Sequence, residues 1–352
     1  MSKRKTTYTS VPTQWVGPIA ITGDIVSEDV SIPMATYETP LWPSTDRGAR
    51  VSHHCGGIRC SVIDERMTRS IAVRADYADV VHKAWQAIKL RQDEVADIVQ
   101  STSRFARLLD LNRQIVGNIL YIRIECATGD ASGHNMVTKA ADAVLSWILD
   151  EYPQLSYSTI SGNYCIDKKV SAVNGILGRG KHVIAEIDIP RSICKKLLRT
   201  TPEQMVQLNV EKNLVGSILA GSLRSANAHF ANMLLAFYLA TGQDAANIIE
   251  GSQGIVHCEA REDSLYFSVS LPNIIVGSVG NGKAHSDIED NLRAIGCLEA
   301  RDDGDNARRL AVLCAAGVLC GELSLMAAQT NPGELMKTHI KMERAKTKLV
   351  DR

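Results

Sequence analysis

The sequence predicts an α+β protein, because helical and strand-like patterns alternate along the 352-residue chain. Apolar side chains recur every three or four residues from about Ala75 to Gln100, which is the spacing of an amphipathic helix. The stretch Asn118–Glu125 is rich in β-branched residues and is typical of a strand. A second helix then runs to about Tyr152, so residues 70–160 form a helix–strand–helix unit that resembles an insertion in a larger domain.

The remaining chain contributes further strands and helices to that larger domain. In order, the patterns predict a strand at His182–Ile189 ended by Pro190, a long helix at Leu214–Thr241, a β-meander at Ile255–Val279, a largely apolar helix at Asn306–Ala328 and a final helix at Leu335–Ala345. The apolar run Leu310–Cys320 is too short to span a bilayer before Glu322, so we expect a buried helix there.

Charge balance, cysteine spacing and the N-terminal sequence argue against several classes of protein. Lys+Arg and Asp+Glu both number 39, and the absence of a basic excess argues against a general nucleic-acid binder. The 9 cysteines form no CxxC pair, which favours reduced cytosolic thiols. No apolar run follows the basic N-terminus MSKRKTTYTS, so we expect no signal peptide and no membrane partner, and a cytoplasmic protein. The group His53, His54, Cys55 and Cys60 is assigned to structure, with no metal site.

Two short motifs combine glycines with charged or polar residues and are candidates for a binding site. Ser161–Lys169 (SGNYCIDKK) sets an acid beside two lysines on a glycine-hinged loop, and taken alone it reads as a solvated surface loop. Gly129–Asn135 (GDASGHN) joins the predicted strand to the next helix, where glycines and free helix N–H groups suit a phosphate. No GxGxxG follows a first strand, so the inserted unit is not predicted to be a Rossmann fold.

Nine separated segments carry a resemblance to a known family. They are Pro33–Glu38, Ser101–Arg107, Gly129–Asn135, Ser161–Lys169, Glu211–Gly216, Asn227–Asn232, Ala240–Asp244, Gly321–Met326 and Lys337–His339. In order and spacing they resemble class I 3-hydroxy-3-methylglutaryl-CoA reductase over roughly residues 30–345. Each motif is weak alone, and their agreement gives the resemblance its strength.

The resemblance implies reduction of a thioester to an alcohol by two hydride transfers, yielding mevalonate and CoA for isoprenoid biosynthesis. It assigns Lys168 to the developing oxyanion, where a compact cation is suited. Glu38 is the proton donor, and Asp244 lies close enough to raise the pKa of that carboxyl by like-charge repulsion. His339, on a C-terminal flap, protonates the departing CoA thiolate.

The resemblance also implies the residues that bind substrate and cofactor. Lys169 pairs with the far carboxylate of the substrate, and Lys212 completes the polar cluster by holding Asp244. The full substrate set is Arg69, Ser161, Asp167, Lys169, Lys212, His229 and Asn232. Ser103 and Arg104 match contacts to the 2′-phosphate, which predicts NADPH. The other cofactor positions are Phe105, Asp130, Gly133 and Asn135, with Gly277 and Gly280 on a second glycine-rich loop that also fits a plain hairpin turn.

The implied organisation is a large, helix-rich CoA-thioester domain interrupted by a small α/β domain. We expect residues 1–70 to begin the large domain, 71–160 to form the NADPH-binding insertion, and 161–352 to complete the large domain with its flap. A homodimer or larger homo-oligomer is expected, with active sites at the subunit interface. The position that matches a regulatory serine of animal relatives is Ala345, and the whole resembles a soluble prokaryotic enzyme.

The chain departs from the family at several points. Only Val16–Pro18 survives of the segment that forms the family's dimer, Ser132 and His134 replace methionines, and Asn281–Lys283 replaces a plainer glycine run. Two alternatives therefore stay open beside the main hypothesis. One is a reductase of a different acyl-CoA thioester, and the other is a non-catalytic relative that binds CoA thioesters.

Overall fold

The computed structural model describes residues 7, 9–337 and 340. Ten strands lie in this part of the chain: β1 Thr13–Thr22, β2 Glu28–Ala35, β3 Ile58–Arg74, β4 Arg107–Val116, β5 Ile119–Ala127, β6 Ser156–Thr159, β7 Gly180–Pro190, β8 Ser225–Ala226, β9 Gly254–Ala260 and β10 Ser264–Ile274.

The α-helices of the same region are α1 Leu41–His54, α2 Ala78–Leu90, α3 Gln92–Thr102, α4 His134–Glu151, α5 Ala172–Leu177, α6 Arg191–Ile193, α7 Pro202–Leu208, α8 Ser217–Leu219, α9 Phe230–Ala240, α10 Ile248–Gly251, α11 Ser286–Ala294 and α12 Asp305–Gln329. Two π-helical segments, Cys194–Leu198 and Asn209–Gly216, and a 3₁₀ turn, Ala245–Asn247, complete them. The predicted α+β class is confirmed.

The larger sheet wraps one side of a buried helix. Its strands follow the order β2-β1-β3-β7-β10-β9-β8. Helix α12 packs against this sheet and against α1, and its most apolar window is 94% buried. Among the described residues it is the one helix long and apolar enough to cross a membrane, and its burial in the protein core accounts for that composition.

The smaller sheet grows from the far half of β3. The first half of this 17-residue strand pairs with β7, and the second half, from Met67, pairs with β5. Strands β4 and β6 add antiparallel edges, so the described pairings of this sheet contain no parallel βαβ unit and the non-Rossmann expectation is confirmed. Its hydrophobic core draws on residues 67–155 and Ile275, separate from the core built by residues 16–60 and 183–327.

Three predicted elements differ from the structure. The helix expected over Ala75–Gln100 is two helices, α2 and α3, which break at Arg91 where the guanidinium binds Glu94 and Glu151. The helix expected over Leu214–Thr241 ends near Leu219, because Gly221 adopts a left-handed φ of 71° and ends the helix. The predicted meander is a single hairpin, β9–β10, followed by an irregular loop.

Candidate active site

The loop that carries Lys168 has an unusual backbone. Asn163, Ile166 and Lys168 have φ of 59°, 34° and 58°, a region that non-glycine residues rarely occupy. The side chain of buried Asn174 donates to the Ile166 carbonyl at 2.7 Å, and the Lys168 amide donates to Glu250 Oε1 at 2.8 Å. These bonds from outside the loop hold it in its strained form.

The loop places Lys168 directly against Asp244. Their side chains meet at 2.7 Å between Nζ and Oδ2. The hydrogen bond that Lys168 donates to Asp244 raises the pKa of the lysine, so its ammonium stays charged at neutral pH. Partial burial alone would raise the pKa of Asp244, but the bonds from Lys168 and the Ala246 amide outweigh it and lower the pKa below its usual value. A fixed cation beside an ionised carboxylate is the result.

This ion pair lines a cavity of about 540 Å³, which we call the lysine cavity. It is lined by Arg69, Gly133, His134, Asn135, Asp167, Lys168, Asp244, Gly280, Lys283 and neighbouring residues. Burial and the charge of Arg179 lower the pKa of His134 to about 4, so its imidazole is neutral at pH 7. The volume suits one small ligand or the reactive end of a larger one.

Of the predicted substrate residues, Arg69 and Asp167 line this cavity, Ser161 contacts Arg69, and Lys169 is exposed on the loop next to Lys168. Arg69 Nη1 donates to Ser161 Oγ at 3.3 Å, while the same guanidinium is braced by Thr138 Oγ1 at 3.0 and 2.7 Å. Lys169 points back along its own loop, with Nζ at 3.2 Å from the Asp167 carbonyl. The sequence-predicted group of Arg69, Ser161, Asp167 and Lys169 therefore lies beside Lys168.

Glu38 lies elsewhere, in a second cavity of about 210 Å³ that we call the glutamate cavity. Asn232 Nδ2 donates to Glu38 Oε2 at 3.1 Å, and His229 lines the same space from the start of α9. The lysine and glutamate cavities share no lining residue. Glu38 and Asp244 therefore lie at different cavities of one chain, and the predicted influence of Asp244 on Glu38 remains a prediction.

A buried histidine–carboxylate pair forms one wall of the glutamate cavity. Burial, with a smaller contribution from the charge of Lys212, lowers the pKa of His229 to about 4 against the opposing effect of a hydrogen bond to the Gly321 backbone. Burial raises the pKa of Glu322 to about 7, against the bonds that its carboxylate accepts from the Ala228 and His229 amides. His229 Nε2 is buried, has no hydrogen-bond partner in the described region and lies 3.8 Å from Glu322 Oε2.

Lys212 thus lies on the glutamate side, on the π-helical segment Asn209–Gly216. The described residues show no ion pair between Lys212 and Asp244, so the predicted contact is absent within one chain. His339 and Ala345 lie outside the described residues, and their predicted roles remain predictions.

The glycine-rich turn after β5 is tightly built. Gly133 has a φ of 92° and precedes α4, whose start carries no side-chain cap. A Cβ on Gly277 would come within 2.4 Å of the Ser132 nitrogen, so the second glycine-rich loop packs directly on the turn. Gly280, with a φ of 104°, has open space around it. A helix start without a side-chain cap is compatible with the phosphate site expected there, and that assignment remains a prediction.

Asp130 makes hydrogen bonds that join the glycine-rich turn to two other parts of the chain. Its Oδ1 accepts the Ala307 amide at 2.8 Å, and its carbonyl accepts the Ser278 amide at 2.9 Å. The residue therefore ties the turn to the first turn of α12 and to the second glycine-rich loop. Its predicted contact with a cofactor remains a prediction.

Ser103, Arg104 and Phe105 follow α3 on the surface of the small sheet's unit. Arg104 stacks on Phe105, with its guanidinium carbon 4.5 Å from the ring centroid. The Phe105 amide donates to Ser103 Oγ at 3.3 Å. Lys139 of α4 reaches the Thr102 carbonyl at 2.8 Å, so a second cation lies beside the loop. An exposed arginine with a lysine nearby suits a dianionic phosphate.

Sequence reasoning missed several residues that shape the two cavities. Arg47, on the unpredicted helix α1, binds Glu334 at 3.2 Å and lines the glutamate cavity. Lys283 binds the Gly242 carbonyl, and burial lowers the pKa of its ammonium to about 8. Neither has a local signal, because their partners lie far away along the chain.

A fixed lysine paired with a carboxylate, beside a glycine-rich helix start, is an arrangement suited to polarising a carbonyl oxygen next to a phosphate-bearing cofactor. Comparison with known proteins gives the family: the model of hydroxymethylglutaryl-coenzyme A reductase matches residues 4–344. The chain belongs to the hydroxymethylglutaryl-coenzyme A reductase family, which confirms the resemblance seen in the nine segments.

Individual relatives agree with that assignment. The 3-hydroxy-3-methylglutaryl-coenzyme A reductase of Pyrococcus abyssi is 41% identical over 321 residues, covering 90% of this chain and 78% of the relative. Reductase 2 of Solanum lycopersicum is 40% identical over 344 residues, covering 96% of this chain and 56% of the relative. The solved class II enzyme of Streptococcus pneumoniae, bound to NADPH, has a TM-score of 0.72 at 16% identity, covering 94% of this chain and 88% of that one. At 16% identity, that last match supports the fold alone.

Proposed function

We propose that the chain reduces 3-hydroxy-3-methylglutaryl-CoA to mevalonate and CoA, in the mevalonate pathway of isoprenoid biosynthesis. The observation that carries the proposal is the Lys168–Asp244 ion pair at 2.7 Å in the lysine cavity. The four-electron course needs a cation at the same oxygen twice, once for the thioester and once for the aldehyde. A lysine whose charge is fixed by a carboxylate meets that need without titrating near neutral pH.

The remaining substrate groups suit the residues around that pair. Lys169 and Arg69 supply cations for the terminal carboxylate, which a neutral acyl-CoA would leave unused. Asp167 and Ser161 offer acceptors and a hydroxyl for the tertiary alcohol. These groups favour a substrate with its own carboxylate over a simpler acyl-CoA thioester.

We propose NADPH as the cofactor, and the residues of the small unit fit it. When bound, NADPH supplies a hydride in each of the two reductions. Ser103 and Arg104 would hold its 2′-phosphate, with Phe105 stacked beneath the guanidinium. Gly133 and Asn135, at the uncapped start of α4, would take the pyrophosphate, and Gly280 leaves room for the nicotinamide end. The separate core of residues 67–155 supports residues 71–160 as the NADPH-binding domain.

We propose that the active site forms between two copies of the chain. Glu38, His229, Asn232 and Lys212 lie on the glutamate side, whereas Lys168 lines the other cavity. A surface patch supports the pairing. Val210, Leu214, Ile218 and Leu219 are 44%, 37%, 76% and 83% exposed, and the first three repeat at four-residue spacing on one helical face. An apolar stripe on the element that carries Lys212 is suited to a partner copy.

Two further assignments follow from the same proposal. The reaction places the protein in the cytoplasm, where CoA thioesters and NADPH meet, and the buried position of α12 supports that location. His339 and the C-terminal segment would protonate the leaving thiolate and cover the site.

The test is a spectrophotometric assay of purified protein with hydroxymethylglutaryl-CoA and NADPH, with NADH run in parallel. We expect NADPH loss, with two equivalents oxidised per CoA thiol released. Acetoacetyl-CoA, which lacks the terminal carboxylate, serves as the control substrate and should be reduced far more slowly. Equal rates with both thioesters would overturn the substrate assignment, and folded protein inert toward both would favour the non-catalytic alternative.

A further inference from the structure

A fully buried carboxylate lies behind the loop that carries Lys168. Glu250 ends the short helix α10, and its side chain has no solvent exposure. One of its oxygens, Oε1, accepts three bonds: from the Lys168 amide at 2.8 Å, from Arg179 Nη1 at 2.8 Å and from Asn247 Nδ2 at 3.2 Å. Burying a carboxylate is costly, so three donors on one oxygen mark a site where its position matters.

Arg179 is equally buried and joins Glu250 to the same loop from the other side. Its Nη2 lies 3.0 Å from Asp167 Oδ1, one residue before Lys168. Its own amide donates to Asn273 Oδ1 at 2.8 Å, which fixes the arginine at the start of β7. A planar guanidinium with two forks is the side chain suited to bridging two carboxylates.

The two contacts act on different parts of the loop. Glu250 holds the backbone of Lys168, whose φ of 58° costs free energy that the loop alone does not recover. Arg179 holds the side chain of Asp167, which His134 Nε2 also approaches to 3.7 Å. Neither Glu250 nor Arg179 lines the lysine cavity, so neither is placed to touch substrate.

We propose that Glu250 and Arg179 are positioning residues, which fix Lys168 and Asp167 in the geometry needed for the reaction. The pair keeps Lys168 Nζ aimed at Asp244 and Asp167 aimed into the cavity before substrate binds. This inference rests on the proposed function, since it assigns Lys168 to the reacting oxygen. A displacement of about 1 Å at such a group costs roughly a hundredfold in rate.

The principal test is a double-mutant cycle in kcat between Glu250→Ala and Lys168→Ala, measured by single turnover with NADPH. Acting alone, Glu250→Ala should lower kcat by roughly ten- to a hundredfold, with little change in the KM for NADPH. In the Lys168→Ala background it should cost almost nothing further, because its effect passes through that lysine. Losses that multiply, or an unchanged kcat in folded Glu250→Ala, would overturn the proposal.

Two further variants guard against a folding defect. Glu250→Gln keeps the shape and an acceptor for the Lys168 amide, so it should retain more activity than Glu250→Ala. Glu125→Gln is the matched control, because Glu125 is also fully buried and is bound by Arg66 and Arg123. We expect this control to cost stability while kcat stays near the wild-type value.

A structural readout separates this inference from the proposed function. Hydrogen–deuterium exchange of the peptide covering residues 163–170 should be faster in Glu250→Ala than in the wild type and unchanged in Glu125→Gln. If the wild type lacks reductase activity but the exchange changes as stated, the function fails while the positioning role stands. Unchanged exchange in Glu250→Ala would overturn the positioning role whatever the activity.

Discussion

The two cavities are built on opposite principles. The lysine cavity rests on ions: Lys168 meets Asp244 at 2.7 Å, and behind it Arg179 and Glu250 form a pair with no solvent exposure. At the glutamate cavity, burial is the main effect. It lowers the pKa of His229 and raises the pKa of the neighbouring Glu322, so it favours the uncharged form of both side chains. The Lys168–Asp244 pair keeps its charges near pH 7, whereas Glu322 on the glutamate side, with a pKa of about 7, can exchange a proton there.

That contrast matches the two needs of the reaction. A developing oxyanion requires a permanent cation, which the lysine cavity supplies. Proton transfer requires a group that exchanges protons at working pH, and Glu322, whose pKa is about 7, is such a group beside His229 on the glutamate side. Glu38, in the same cavity as His229, remains the predicted proton donor. Under the proposed function, each cavity would supply only part of these groups, which is why we propose a site formed between two copies of the chain.

The largest expected effect comes from removing the fixed cation. Lys168→Ala should lower kcat by at least a hundredfold, because the charge opposite the oxyanion is lost. Initial rates of NADPH oxidation measure it, and circular dichroism checks the fold. The control is Lys195→Ala, on the π-helical segment Cys194–Leu198 remote from both cavities, which should leave the rate unchanged. Similar rates for the wild type and Lys168→Ala would remove the lysine cavity from the chemistry.

Separating the two copies should abolish activity nearly as fully. Leu219→Asp places a charge on the apolar patch, so we expect dissociation to monomers and loss of turnover. Sedimentation velocity and the NADPH assay on the same sample measure both. Leu90→Asp is the matched control, because Leu90 is 89% exposed and lies at the end of α2. A monomeric Leu219→Asp protein with full activity would contradict an interface site.

A smaller effect is expected at the cofactor phosphate. Arg104→Ala should raise the KM for NADPH roughly tenfold and leave the KM for NADH unchanged, because only NADPH carries the 2′-phosphate. Steady-state kinetics with both cofactors measure the ratio. Arg113→Ala, which removes an arginine stacked on Trp85, is the control. If both cofactors weaken equally in Arg104→Ala, the arginine does not read the phosphate.

The smallest expected effect is a pH dependence of stability on the glutamate side. Burial raises the pKa of Glu322 from the 4.5 of an ordinary glutamate to about 7 in the folded chain. Its protonated form therefore stabilises the fold fully below pH 4.5, and this contribution is lost as the pH rises to 7. A glutamine at this position does not ionise, so Glu322→Gln does not lose this stability as the pH rises. The difference between its Tm and that of the wild type should therefore increase by a few degrees from pH 5 to pH 8.

Differential scanning fluorimetry across that range makes the comparison. Glu262→Gln, which changes an exposed carboxylate, should show a Tm difference that stays constant with pH. A Tm difference for Glu322→Gln that also stays constant would mean that Glu322 remains ionised in the fold.

The elements that sequence reasoning found share a strong local pattern. Helix α4 and strand β5 were predicted within a few residues because their periodicity is unbroken. Helix α1 was missed because Pro43 and Gly48 interrupt its apolar pattern, although Gly48 is where α1 packs on α12: a Cβ there would come within 2.2 Å of the Cys320 carbonyl oxygen. Contact between helices selected a residue that local propensity argues against.

The site shows the same division between local and distant information. The resemblance to the family identified Lys168 and Asp244 as site residues, and in the structure these two side chains are in contact. Spacing carried no sign of Arg179 and Glu250, which lie 71 residues apart and meet only through tertiary folding. Asp244 lines the lysine cavity, whereas Lys212 lies near His229 and Glu322 on the glutamate side. The sequence carries no signal that would separate these two residues.

The most direct test of the two-copy site mixes two inactive variants. Lys168→Ala and Glu38→Ala are unfolded together and refolded as a mixture, with each variant refolded alone as the control. If each site takes Lys168 from one copy and Glu38 from the other, half of the randomly formed dimers hold one intact site, and activity should return to about a quarter of wild type. If both residues serve the same site within one chain, every site carries a lesion and the mixture stays inactive, which would contradict the account.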